Sequence, residues 1–134
     1  MIEKIKHDGE LLALIVRESY NKEGVNFITE EKDSFQLAIH NVKKGKRYRA
    51  HSGKSFEKIE NFPANKIYYI QKGCVGIDFY SSSKSKVAYA SLKEGDMVLF
   101  LSGGHGVDIM EDSKMIEIKQ GPYRGVDGDK LFLE

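Results

Sequence analysis

The side chains in this chain that could do chemistry gather around one run, Gly95-Asp96-Met97-Val98-Leu99-Phe100-Leu101-Ser102-Gly103-Gly104-His105-Gly106. Gly-Asp marks a tight turn, the apolar residues after it read as a short buried strand, and Gly103-Gly104 opens the backbone beside one imidazole. With no β-carbon in the way, a ligand can approach the main chain closely at such a place. An imidazole of near-neutral pKa there donates to, or takes a proton from, a hydroxyl or carbonyl. The competing reading is a glycine-rich turn whose histidine is solvated or bonded to a nearby carbonyl.

Two further groups of residues qualify. His51 follows the cationic turn Lys43-Lys44-Gly45-Lys46, with His40, Arg47, Tyr48 and Arg49 close by in sequence. An arginine such as Arg49 forks to a carboxylate or phosphate, although a charge cluster of this kind is also what a solvated turn looks like. In Glu117-Ile118-Lys119-Gln120-Gly121-Pro122-Tyr123, alternation puts Glu117 and Lys119 on one face and Ile116 and Ile118 on the other. That pattern is an amphipathic strand with a solvated, salt-bridging face. If the strand ends at the mouth of a barrel, Lys119, Gln120 and Tyr123 meet a polar ligand there. Cys74 lies inside an expected strand and reads as a small buried hydrophobe, and His7 sits near a loose terminus.

The elements that must position these residues are short strands. Glu10 to Arg17 is an apolar run bounded by Gly9 and by Asn21-Lys22-Glu23-Gly24, which favours a strand over a helix. Further strands are expected at Val25–Thr29, Phe35–Val42, Arg47–His51, Lys66–Gln71, Cys74–Tyr80, Val87–Leu92, Val107–Met110 and Met115–Gln120. Lys72-Gly73 reads as a hairpin turn, the serine-rich stretch Ser81 to Lys86 as an exposed hairpin loop, and Ser52 to Asn65 as a long binding loop or lid. No segment supports a long amphipathic helix. Short strands with turn signals every 8–12 residues or so indicate an all-β sandwich or barrel.

Composition narrows the classes. The 134 residues suit a single domain, residues 1–134, and the net charge of +1 gives no basic field for nucleic acid. One cysteine excludes an intrachain disulfide and a thiolate zinc cluster. No apolar run approaches membrane-spanning length and Met1 to Gly9 lacks a signal-peptide pattern, so a cytoplasmic protein with no membrane partner is expected.

The chain resembles the cupin superfamily over about residues 43 to 110. Gly45 lies six residues before His51, Gly73 closes the expected hairpin, and Gly95-Asp96 leads through Gly103-Gly104 to His105. The resemblance implies an all-β, cupin-type double-stranded β-helix, a jelly-roll barrel with His51 and His105 at its mouth. It further implies a homodimer, which the apolar run Leu11 to Val16 and the surplus of N-terminal strands would serve. Cupin metal sites use three imidazoles and one carboxylate for iron, manganese, nickel or zinc. Here Gly53 stands at the second histidine, and the glutamate position falls on Lys66 or on Glu57 according to the direction of counting. His51, His105 and Glu57 are therefore metal candidates in an incomplete set, and the cofactor is left open. Gly-Gly-His-Gly together with Met-Ile-Glu-Ile-Lys-Gln-Gly-Pro-Tyr also looks like small single-domain cupins associated with surface-polysaccharide and sugar-nucleotide pathways. The expected function is binding of a small polar, carbohydrate-derived molecule, with His105 and His51 central and Arg49, Lys119, Gln120 and Tyr123 as ligand contacts. The rivals are a metal-dependent cupin enzyme, a sugar isomerase or epimerase with a histidine base, and a non-catalytic interaction module with an apolar interior.

Overall fold

Asp8-Gly9 makes the first turn. Both residues have positive φ, 48° and 77°, as a two-residue hairpin loop of Asp-Gly type requires. The turn joins β1 (Ile2–His7) to β2 (Glu10–Val16) antiparallel, so the terminus expected to be loose is a paired strand. The computed structural model describes residues 1–52, 54, 63–120 and 124–133. It is all-β with antiparallel sheets, and the only helix among the described residues is the single turn α1 (Val126–Asp129). No helix among them is long and apolar enough to cross a membrane.

Two compact units divide the chain: residues 21–63 form one, and residues 1–20 with 64–134 form the other. In the smaller unit β3 (Gly24–Phe27) pairs with β4 (Ala38–Asn41). Between the end of β3 and the start of β4, the Ile28 amide donates to the Leu37 carbonyl at 2.8 Å and the Leu37 amide to Thr29 Oγ1 at 3.0 Å, which closes the loop. Arg47 to His51, expected as a strand, carries no strand pairing among the described residues and every residue in it is exposed. Alternation alone does not make a strand when no neighbour accepts its backbone hydrogen bonds. Most of the expected loop from Ser52 to Asn65, including Gly53 and Glu57, lies outside the described residues, as does Tyr123.

The larger unit holds β1, β2, β5 (Lys66–Lys72), β6 (Cys74–Tyr80), β7 (Lys86–Lys93), β8 (Met97–Phe100), β9 (Gly104–Ile109) and β10 (Lys114–Lys119). One sheet has the order β1-β2-β8-β5-β10 and the other β7-β6-β9. Ala13, Ile15, Ile70, Val98 and Phe100 of the first meet Val75, Ile77, Phe79 and Leu92 of the second in one apolar core. Among the described residues the two sheets do not pair along their edges, so a sandwich stands where the sequence suggested a closed barrel.

Lys72-Gly73 makes no hairpin. β5 pairs with β8 and β10, whereas β6 pairs with β7 and β9. Gly73 has φ +91° and carries the chain across the core to the opposite sheet; Gly95 and Gly103 stand at two more such crossings. The sequence signal for a turn is the same whether the second strand pairs with the first or faces it. The serine-rich loop does close a hairpin, since β6 and β7 are paired antiparallel on either side of it.

β2 is buried on both faces. Ala13 and Ile15 enter the inter-sheet core, while Leu12, Leu14 and Val16 on the other face are at most 5% exposed. Burial on both faces explains the unbroken apolar run. It also leaves Leu12 to Val16 without exposed surface for a second copy, whereas Leu11 is half-buried.

Candidate binding site

Period-two alternation decides what reaches the inside of the sandwich at the end where β5 and β9 begin and β8 and β10 finish. On β5, Ile70 and Tyr68 face the core, so Lys66 faces the same way at the strand's first position. Register places Glu117 opposite Tyr68 and Lys119 opposite Lys66. Met115 packs on the core from the same face of β10. The charged face of β10 is therefore turned inward, and Ile116 and Ile118 point out with 41% and 52% exposure. Glu117 and Lys119 stay exposed and Glu117 is ion-paired, so the charged face is solvated and salt-bridging as the sequence suggests, while the apolar face opposite is exposed as well. At this end the apolar core has run out, and charged side chains can occupy the inner face and still reach water.

His105 comes from the opposite sheet. It pairs with Phe79, whose side chain is 1% exposed in the core, and so points inward too. Its ring lies on Phe100, centroids 3.9 Å apart and planes 18° from parallel, and meets Tyr68 edge-on at 5.8 Å. Tyr68 in turn meets Phe100 edge-on at 5.5 Å. Neither His105 nitrogen has a hydrogen-bond partner among the described residues. No fully buried side-chain nitrogen or oxygen among them is unsatisfied, so the two ring nitrogens are reachable from solvent.

The charges around the ring are fixed. Lys66 Nζ lies 3.1 Å from Glu117 Oε1 and 3.5 Å from the Tyr68 hydroxyl, with its side chain 18% exposed. Burial works against the Lys66 charge, but Tyr68 and Glu117 outweigh it and hold its pKa above that of an ordinary lysine. For His105 the balance runs the other way. Burial, reinforced by Lys66 and Lys130 against the opposing pull of Glu117, pushes its pKa down to about 4. At neutral pH the imidazole is uncharged, with one donor and one acceptor nitrogen. The near-neutral pKa expected from the sequence does not survive a ring stacked on phenylalanine beside a cation.

The glycines before His105 serve the chain rather than a ligand. A β-carbon on Gly103, which has φ +67°, would run into the Tyr80 carbonyl. One on Gly104 would strike Leu133, and Gly104 pairs with Tyr80 on the face away from His105. Asp96 is likewise structural: it is 1% exposed and accepts from the Lys93 and Glu18 amides and from Arg17 at 2.9 Å. Burial alone would raise its pKa, but these donors hold it below the ordinary carboxylate value.

His105 and Lys119 stand on the inner face of the larger unit. Gln120 adjoins them, but its Oε1 accepts from the Asn65 amide at 2.8 Å, so its side chain pins the entry to β5. Asn65 completes that clamp by donating to the carbonyls of Phe100 and Leu101 at 3.1 and 3.2 Å. His51 and Arg49 belong to the smaller unit, both exposed, with His51 Nδ1 2.9 Å from the Arg49 carbonyl. Lys66 as part of a charged pair, Tyr68 and Phe100 were missed as site residues; the alternation of Lys66, Tyr68 and Ile70 was the available signal.

The described residues do not fit a cupin-type metal ion. No group of three or more His, Cys, Asp or Glu residues gathers among them. At the glutamate position counted back from Gly73 stands the Lys66 ammonium, a cation that opposes a dication beside His105. Family models, curated proteins and solved structures give no match to the chain.

Proposed function

We propose that the chain is a cupin-type binding protein whose site, at the Lys66 and His105 end of the sandwich, takes a small polar, carbohydrate-derived ligand. The observation that carries this is the His105 ring: uncharged, held against Phe100 and Tyr68, with both nitrogens free of hydrogen bonds among the described residues. A neutral imidazole both donates to and accepts from a hydroxyl, and the Lys66–Glu117 pair offers the same two functions alongside it. Strand order supports the cupin-type reading. A jelly roll is a double-sheet Greek-key architecture, and here β5, β8 and β10 share one sheet while β6, β7 and β9 share the other, so that the chain changes sheet at every step from β5 to β10 except at the β6–β7 hairpin.

Binding is favoured over base catalysis by the same ring. A base with a pKa near 4 has little driving force to take a proton from a sugar hydroxyl or carbon at neutral pH. The apolar core between the sheets is what a plain interaction module would also show, so the polar end must decide. Calorimetric titration of the full chain with monosaccharides and sugar nucleotides tests the reading, with His105→Asn as the control. Saturable binding lost in His105→Asn, with an unchanged circular dichroism spectrum, is the expected result; binding unaltered by the substitution overturns it. The homodimer implied by the family resemblance belongs to this reading as well, with a surface other than Leu12 to Val16.

A further inference from the structure

We propose that the smaller unit carries a second binding surface, for a single strand of nucleic acid, in which Arg47, Arg49 and the adjacent lysines meet phosphates while Tyr48 and Phe27 stack on bases. Lys43-Lys44-Gly45-Lys46-Arg47-Tyr48-Arg49 puts five cations and no acid into seven residues, although the whole chain has a net charge of only +1. The rest of the chain is therefore acidic in balance, and the positive charge is concentrated here. Every residue of the run is exposed. Lys43 pairs with Glu23 at 3.3 Å, and the other four cations have no ion-pair partner among the described residues.

A solvated turn shows that much, so charge alone does not name a partner. The strands beside it do. Register sets Val25 opposite His40 and Phe27 opposite Ala38, which puts these four side chains on one face of the β3–β4 ribbon. On that face Val25 and Phe27 are 43% and 69% exposed, while Asn26 and Ile39 on the other face are half-buried. The ribbon thus turns its larger apolar residues to water, as a surface that meets a partner does. His40, diagonal to Phe27, lies 2.9 Å through Nδ1 from the Tyr48 hydroxyl, and the two rings meet edge-on with centroids 5.5 Å apart. This contact brings the basic run against the aromatic face and fixes the Tyr48 ring. The acids of the unit stand at the opposite end of the ribbon, in the loop beyond Phe27, where Glu30 pairs with Lys32 at 2.8 Å and Asp33 accepts from the Glu30 amide at 2.8 Å. Cations and exposed rings together match a single strand, whose phosphates take the first and whose unpaired base faces take the second. An acidic peptide would leave the rings unused. A lipid surface calls for an apolar face that sinks as a unit, and here the polar His40 and a tethered phenol stand beside Phe27.

The test is fluorescence anisotropy on the full chain with labelled oligothymidylate and oligouridylate of about twelve nucleotides. Both are expected to bind, with log affinity falling against log salt at a slope of about −2 to −3, as three or four phosphate contacts give on a single strand. Phe27→Ala and Tyr48→Ala, both at exposed positions, should each weaken binding about tenfold with an unchanged circular dichroism spectrum. Arg47→Gln combined with Arg49→Gln should flatten the salt slope, and His105→Asn should leave this binding as it is. A duplex or an abasic strand of the same length should bind about tenfold more weakly. Equal binding of the abasic strand, or affinity unaltered by both Phe27→Ala and Tyr48→Ala, overturns the proposal. So does failure of both single strands to bind at low salt, whether or not phosphatidylserine vesicles bind in their place.

Discussion

The surroundings of His105 give its ring a different chemistry from the one its sequence context suggests. The Gly-Gly-His pattern singled it out, but its stacking partner Phe100 and edge partner Tyr68 come from other strands, and no local pattern announces them. Their effect is measurable as a pH dependence. The unfolded chain protonates His105 near 6.5 and the folded chain only near 4, so between those values the unfolded state binds more protons. Stability is therefore full above about pH 6.5, falls as pH drops towards 4 and levels off below, by about 2–3 kcal/mol allowing for partial solvation of the ring. Asp96, with its pKa held below that of an ordinary carboxylate by its backbone and Arg17 donors, adds a separate loss at still lower pH. Urea unfolding of His105→Phe against the parent across this range checks the assignment. The phenylalanine keeps the stack and should lose the limb between 6.5 and 4 while retaining the lower one. A parent limb that persists in His105→Phe belongs to another group.

At the scale of elements, most strands were legible, with Arg47 to His51 expected in error, and strand partnership was not. Lys66–Lys72 and Cys74–Tyr80 are strands as alternation predicts, yet Gly73 sends them to different sheets, because a tight glycine turn looks the same in a hairpin and in a crossing. β1 was missed although Asp8-Gly9 is a hairpin signal; its mixed charges hid a strand that only β2 makes stable. On β10 the face that could not be read was the apolar one: Ile116 and Ile118 are exposed, and the charged face lies on the inner side because the core ends before the strand does. The same distinction separates two adjacent glycines. Gly103→Ala forces a β-carbon into a left-handed backbone and onto the Tyr80 carbonyl, and should cost about 2–4 kcal/mol. Gly104→Ala displaces only the Leu133 side chain and should cost about 1 kcal/mol or less. Thermal denaturation of the pair reads the difference; equal, small losses would mean that the crossing at Gly103 is not as tight as described.

In the larger unit, two sheets close over an apolar core and leave one end charged and aromatic. All-β character was readable from the spacing of turn signals. The meeting of β5, β8, β9 and β10 at one end was not, because it depends on four crossings between the sheets, from β5 to β6, β7 to β8, β8 to β9 and β9 to β10, that bring residues 66, 100, 105 and 117 together. Histidine ring nitrogen NMR on the full chain tests the binding role of that end most directly, since the sequence holds four histidines and each reports its own surroundings. With sugar nucleotides and anionic sugars added at neutral pH, the account predicts an uncharged His105 ring whose nitrogen signals move saturably, while those of His7, His40 and His51 stay in place. A His105 ring that is protonated at neutral pH, or that stays still while one of these ligands binds and shifts other histidines, would contradict it.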